Sequence, residues 1–80
     1  MNEEIEKKIG WNISKLRTEA RISQSKLSAK LQLEGVDITR SALAKIEVGQ
    51  RHLYPDEIIA IKKILNCSYE KIFNLNDKKA

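Results

Sequence analysis

One pattern recurs four times in these eighty residues and leaves little room for anything but helices. Each time an apolar residue stands just before a helix cap position, and a second one follows in the first full turn, where it packs back on the first. Ile22-Ser23 with Leu27, Ile38-Thr39 with Leu43, and Cys67-Ser68 with Ile72 are three copies. The fourth is Leu53-Tyr54 with Ile58, where Pro55 sits at the first helical position and Asp56 and Glu57 lie in the first turn. Proline is preorganised there, and the acids complement the positive end of the helix.

A fifth helix precedes these four. Ile5, Ile9, Ile13, Leu16 and Ala20 recur at helical spacing and form one amphipathic stripe. Gly35 and Gly49 fall just beyond the second and third helices, where a left-handed residue ends a helix well. The sequence predicts an all-α, compact five-helix bundle in one domain over residues 1–74, followed by a polar tail at 75–80 that is expected to fray from Leu75 onward. Its core should gather Ile9, Ile13, Leu16, Leu27, Leu31, Leu43, Ile46, Ile58, Ile61, Leu65 and Ile72. Each fully buried aliphatic side chain contributes about 1.5–3 kcal/mol, so this set can offset the ordering entropy of a short chain without a metal or a disulfide.

Several function classes are disfavoured. The longest apolar runs fall far short of the roughly 18 residues of a membrane helix, and the acidic start Met1-Asn2-Glu3-Glu4 is unlike a secretory signal. The bases are spread over several short helices, unlike a membrane-surface peptide. A cytoplasmic protein is expected, associated with the nucleoid when bound to DNA. The single cysteine, Cys67, has no partner for a disulfide or a metal pair and reads as a small apolar side chain. With one histidine, no HExxH and no glycine-rich phosphate loop, no catalytic constellation emerges. No enzyme activity, cofactor or metal is expected.

Net charge is +4, and its location is more informative than its size. Between Lys15 and Arg51 the bases Lys15, Arg17, Arg21, Lys26, Lys30, Arg40, Lys45 and Arg51 meet only the acids Glu19, Glu34, Asp37 and Glu47. Elsewhere acids and bases balance, so the whole positive excess lies in the middle segment, as in a protein that docks on phosphates.

That segment contains a pair of short helices, from Ser23 to about Leu33 and from Thr39 to about Val48. Such a pair presents its second helix as a ridge that fits the DNA major groove. Leu43 and Ile46 face inward, while Arg40, Ser41, Ala44 and Lys45 lie on the outer face. Arg40 can donate two hydrogen bonds to a guanine edge, Ser41 can donate or accept, and Lys45 can reach a guanine or a phosphate. On geometry alone the same face is equally a solvated helix surface with two bases.

A wider set of residues decides between these readings. Ile9-Gly10, Ile13, Leu16-Arg17, Ser23-Gln24, Leu27, Thr39, Ala42-Leu43, Lys45-Ile46-Glu47 and Gly49-Gln50-Arg51 together resemble the Cro and phage-repressor (Xre-like) helix-turn-helix family. The similarity spans about residues 5–74. It implies a lambda-repressor-like DNA-binding domain, a transcriptional regulator of phage or bacterial type, expected to be a repressor of the Cro/C1 kind. The implied partner is a double-stranded DNA operator, commonly two-fold symmetric and bound by a dimer.

The resemblance also implies roles. Arg40, Ser41, Ala44 and Lys45 fall on base-contacting positions, with Ala44 suited to a thymine methyl. Gln24, at the start of the second helix, touches phosphate and buttresses the reading helix. Lys26, Thr39, Gln50, Arg51 and His52 are placed along the phosphate backbone, where contacts orient the module without reading sequence. Arg17 and Glu47 match a structural ion pair that fixes the angle of the reading helix.

Three features depart from the common pattern. The connection Gln32-Leu33-Glu34-Gly35-Val36-Asp37-Ile38 is longer than the compact turn of phage repressors, and Val48 replaces a residue that is usually polar. Trp11 lies about 200 degrees around the first helix from Ile9, off the core stripe. Trp11 and Ile59 fit no core position and are either isolated exposed hydrophobes or part of a partner surface. In the second case Ile59, Tyr69 and Phe73 would form a self-complementary patch for a homodimer. The main rival function is a helical protein-interaction module, an antitoxin or anti-repressor, that does not itself read DNA.

Overall fold

In the computed structural model, which describes residues 2–76, the helices are α1 (Glu3–Glu19), α2 (Gln24–Leu33), α3 (Arg40–Glu47), α4 (Pro55–Leu65) and α5 (Tyr69–Ile72). No strand occurs among the described residues. The helix starts fall where the repeated pattern places them. Side-chain oxygens of Ser23, Thr39 and Ser68 accept from the N–H groups of Lys26, Ala42 and Lys71 at 3.0, 3.1 and 3.2 Å. Each satisfies a donor that the helix cannot satisfy itself. At α4 the Glu57 carboxylate reaches back to the Tyr54 N–H at 2.9 Å.

Helix ends repeat a single device as well. Gly35 and Gly49 adopt φ of 84° and 79°, as expected, and Arg21 and Asn66 take the same left-handed role at 61° and 52°. After each of these residues the next N–H folds back five residues: Ile22 to Arg17, Val36 to Leu31, Gln50 to Lys45, and Cys67 to Lys62. The sequence signals only the two glycines, because only glycine enters this region freely.

α1 packs on α3 and α5, and α2 packs on α3 and α4. The expected core residues Ile13, Leu27, Leu31, Leu43, Ile46, Ile61, Leu65 and Ile72 are buried, whereas Ile9, Leu16 and Ile58 are only half-buried at its margin. Ile38 and Leu53, expected only to pin chain entries, are buried core residues in their own right. They lie in loops, outside any periodic segment, so periodicity alone does not identify them. At the outer ends of the first stripe Ile5 and Ala20 are exposed, the first near the start of α1 and the second at its C-cap. Trp11 and Ile59 are 52% and 56% exposed and stay out of the core as expected.

The long connection is firmly held. Ser28 Oγ and Gln32 Nε2 both donate to the Ile38 carbonyl, at 2.7 and 3.2 Å, and the Ile38 side chain is completely buried beneath it. The C-terminal segment is tied to α1 by Asn12 Nδ2, which donates to the carbonyls of Ile72 and Asn74 at 2.8 and 2.9 Å. Lys8 Nζ donates to the Leu75 carbonyl at 3.2 Å. Residues 77–80 of the expected tail lie outside the described residues. Burial pushes the Cys67 thiol above its ordinary range, in keeping with an apolar role. No helix among the described residues is long and apolar enough to cross a membrane.

Candidate nucleic-acid interface

The position of α3 is set by two close approaches to α1 and one buried polar cluster. A Cβ added at Gly10 would overlap the Ile46 carbonyl oxygen and lie 2.9 Å from the Glu47 carbonyl carbon. One at Gly49 would sit 2.5 Å from Lys7 Cγ and 2.8 Å from its Cα. Both contacts are backbone to backbone or nearly so, which only glycine permits. α1 therefore lies directly against the last turn of α3.

Glu47 ends that turn and is buried. Its Oε2 accepts from Arg17 Nε at 2.7 Å, and its Oε1 accepts from Arg17 Nη2 at 3.1 Å and from Gln24 Nε2 at 2.9 Å. Arg17 Nη1 in turn donates to the Ile22 carbonyl at 2.8 Å. One carboxylate thus joins α1, the corner before α2, and α2 itself to the end of α3. Two parallel hydrogen bonds from a planar guanidinium fix direction as well as distance, so the angle of α3 is specified. The expected Arg17–Glu47 pair is present, and Gln24 is its third member.

The opposite face of α3 is open. Thr39, Arg40, Ser41, Lys45 and Val48 are exposed, and Ala44 is half-buried. Among the described residues, Arg40 and Lys45 form no ion pair and no side-chain hydrogen bond. Lys26 on α2 and Gln50 after α3 are also exposed. Together these residues put unengaged donors on α3 and at its two flanks.

Arg51 and His52, expected along the phosphate backbone, also have partners within the protein. Arg51 Nη1 and Nη2 donate to the two carboxylate oxygens of Glu57 at 2.9 and 3.0 Å, and Nη1 also donates to the His52 carbonyl at 2.8 Å. His52 Nδ1 lies 3.0 Å from Glu6 Oε2, and its ring meets Tyr54 edge-on at 4.7 Å between centroids. These contacts fasten the loop after α3 to α4 and, through the exposed His52, to α1. Donating to the Glu57 carboxylate holds Arg51 even above its ordinary pKa. Burial alone would raise the Glu57 carboxyl, but the Arg51 fork, the Tyr54 N–H and the nearby positive charge outweigh it and hold that carboxyl below 4.5.

The role of Glu57 goes beyond that of a first-turn acid, since it fastens both Arg51 and the Tyr54 N–H. Its signal is its place three residues after the cap position, where a glutamate turns back on the chain before the helix. Among the described residues no group of three or more histidine, cysteine or acidic side chains is placed to hold a metal ion.

A family model described as helix-turn-helix matches residues 13–72, three quarters of the sequence and all of α2, α3, α4 and α5. The chain belongs to the helix-turn-helix family. It is the Cro/C1-type group of DNA-binding regulators that the sequence resembles, and α2 and α3 are the helix pair that gives the family its name. No curated protein matches the chain. Within this helix-turn-helix the long turn is accommodated by the Ser28, Gln32 and Ile38 contacts, which anchor α3 at its start as the Glu47 cluster anchors it at its end.

Proposed function

We propose that this protein reads a specific double-stranded DNA operator through α3 and acts as a transcriptional repressor. The observation that carries this reading is the contrast across α3: a buried three-residue clamp on one side, unpaired Arg40 and Lys45 with Ser41 on the other. A helix so held needs no reorganisation to enter a groove, which lowers the cost of binding. Arg40, Ser41 and Lys45 contact bases, with Ala44 against a thymine methyl. Lys26, Thr39 and Gln50 lie along phosphates together with the start of α2 at Gln24. Arg51 and His52 act there indirectly, by holding the loop.

A homodimer on a two-fold symmetric site completes the proposal. Ile59, Tyr69 and Phe73 are exposed, the rings of Tyr69 and Phe73 stack at 6.5 Å, and Lys62 of α4 covers Tyr69 at 5.2 Å. Ile59 lies one turn before Lys62 on α4, which supports a shared surface of α4 and α5. Half-sites should then lie about 34 Å apart, one turn of DNA.

Selection of bound sequences from a random DNA pool tests the reading, with an enriched inverted repeat expected. Arg40→Ala should lose about 1–3 kcal/mol of discrimination at one operator position. Log Kd should change by about 0.9 per phosphate contact with each tenfold change in salt. Absence of any enriched sequence, with capture of a protein partner instead, would favour the interaction-module reading.

A further inference from the structure

We infer that Val48 is a base-reading residue and that each half-site carries a thymine whose C5-methyl packs against it. The inference rests on α3 entering the major groove. At 100 degrees per residue, Leu43, Ile46 and Glu47 define the buried side of α3, and the direction opposite to their mean falls between Ser41 and Lys45, with Val48 about 35 degrees to one side of it. On the same side as Val48, Ala44 and then Arg40 lie progressively farther around the helix. The open face therefore carries Ser41 at the start of the helix, Lys45 one turn later and Val48 at its end, all exposed, with Ala44 half-buried at its edge.

Val48 is 55% exposed although its side chain is wholly apolar. Its backbone is well fixed. It is the C-cap of α3, followed by Gly49 in the left-handed region against the Lys7 backbone, and the next N–H closes on the Lys45 carbonyl at 2.8 Å. A β-branched side chain on such a backbone has few rotamers to lose on binding. It offers two methyl groups and no hydrogen-bonding atom. Of the features on a major-groove edge, only the thymine methyl matches that chemistry, since the other groups are donors and acceptors that an apolar neighbour would leave unsatisfied.

The test compares thymine with deoxyuridine, which differs only by the methyl. Each thymine of the half-site enriched from the random pool is replaced singly by deoxyuridine, and Kd is measured for the wild type, Val48→Ala and Val48→Thr. One thymine should lose about three- to fivefold in affinity for the wild type on losing its methyl, the change expected for one buried methyl group. At that position Val48→Ala should show little difference between the two bases, and Val48→Thr an intermediate one. Val48 is exposed, so both variants should keep the wild-type helical signal. An enriched half-site without thymine, or a thymine-to-deoxyuridine ratio unchanged in Val48→Ala at every position, overturns the role of Val48 while leaving the operator reading intact. Failure of any DNA to be enriched overturns both.

Discussion

Two arginine–glutamate forks hold this protein together, and their glutamates stand at opposite ends of helices. Glu47 is the last residue of α3, where the helix carbonyls make a poor environment for an anion; Glu57 is the third residue of α4, where free N–H groups make a good one. Accordingly Glu57 keeps a backbone donor of its own, the Tyr54 N–H at 2.9 Å, whereas Glu47 relies on Arg17 and Gln24 side chains from other helices. The difference teaches what each fork is for. A carboxylate placed against the helix dipole is stable only when α1, α2 and α3 are all in position, so the first fork reports and enforces the relative placement of three helices. The second is a local fastening, six residues apart in sequence, that keeps the loop after α3 on α4.

The sharpest way to break this comparison is to remove each arginine alone. Arg17→Ala leaves the Glu47 carboxylate, whose side chain is 4% exposed, with only the Gln24 amide, and should cost about 3–5 kcal/mol. That is a large part of the stability of an 80-residue domain and should be plain in chemical denaturation. Glu47→Ala should cost less, about 1–2 kcal/mol, because the freed Arg17 is a long chain that can carry its charge to water. The double variant Arg17→Ala/Glu47→Ala should then be more stable than Arg17→Ala alone. If the two single variants cost the same, the burial of the carboxylate is not what makes the first fork expensive to break.

Arg51→Ala should cost roughly 1–2 kcal/mol by the same measurement, since Glu57 retains the Tyr54 N–H and the α4 N-terminus. Its effect on DNA binding should be uniform over sequences and should follow the loosened loop, with the salt dependence unchanged. A salt slope reduced by about one phosphate contact would instead return Arg51 to the phosphate backbone.

The two forks also differ in how far the sequence reveals them. Arg17 and Glu47 are far apart along the chain, and only the family resemblance joins them; nothing in helical periodicity brings position 17 to position 47. Arg51 and Glu57 are close in sequence, yet the resemblance assigns Arg51 to phosphate and implies no pair with Glu57. Local chemistry was the more reliable guide for the fold itself. The four cap-and-staple starts place α2 to α5, because a helix start depends on residues within one turn of each other. What stayed hidden depends on the third dimension: the burial of Ile38 and Leu53 from loops, the left-handed Arg21 and Asn66, and the use of Ser28 and Gln32 to hold the long turn. At the interface, the open face of α3 is legible from the wheel, whereas the contacts of Arg51 with Glu57 and of His52 with Glu6 are not.

The smallest expected effect separates the forks by pH. Because Glu57 is held below 4.5 in the folded protein, its contribution is fully present above the ordinary carboxyl value and is lost as pH falls through the lowered one. Glu57→Gln keeps an oxygen for the Tyr54 N–H but removes the charge, so the wild type should exceed it in stability by roughly 1 kcal/mol near neutrality. That gap should narrow as the pH is taken below about 4.5, while carboxylates elsewhere titrate alike in both proteins and cancel in the difference. Urea denaturation of the pair at pH 7, 4 and 3 measures it. A gap that stays constant to pH 3 would mean that the packing of the side chain, rather than its charge opposite Arg51, sets the difference, and the second fork would then be a cap with an arginine lying beside it.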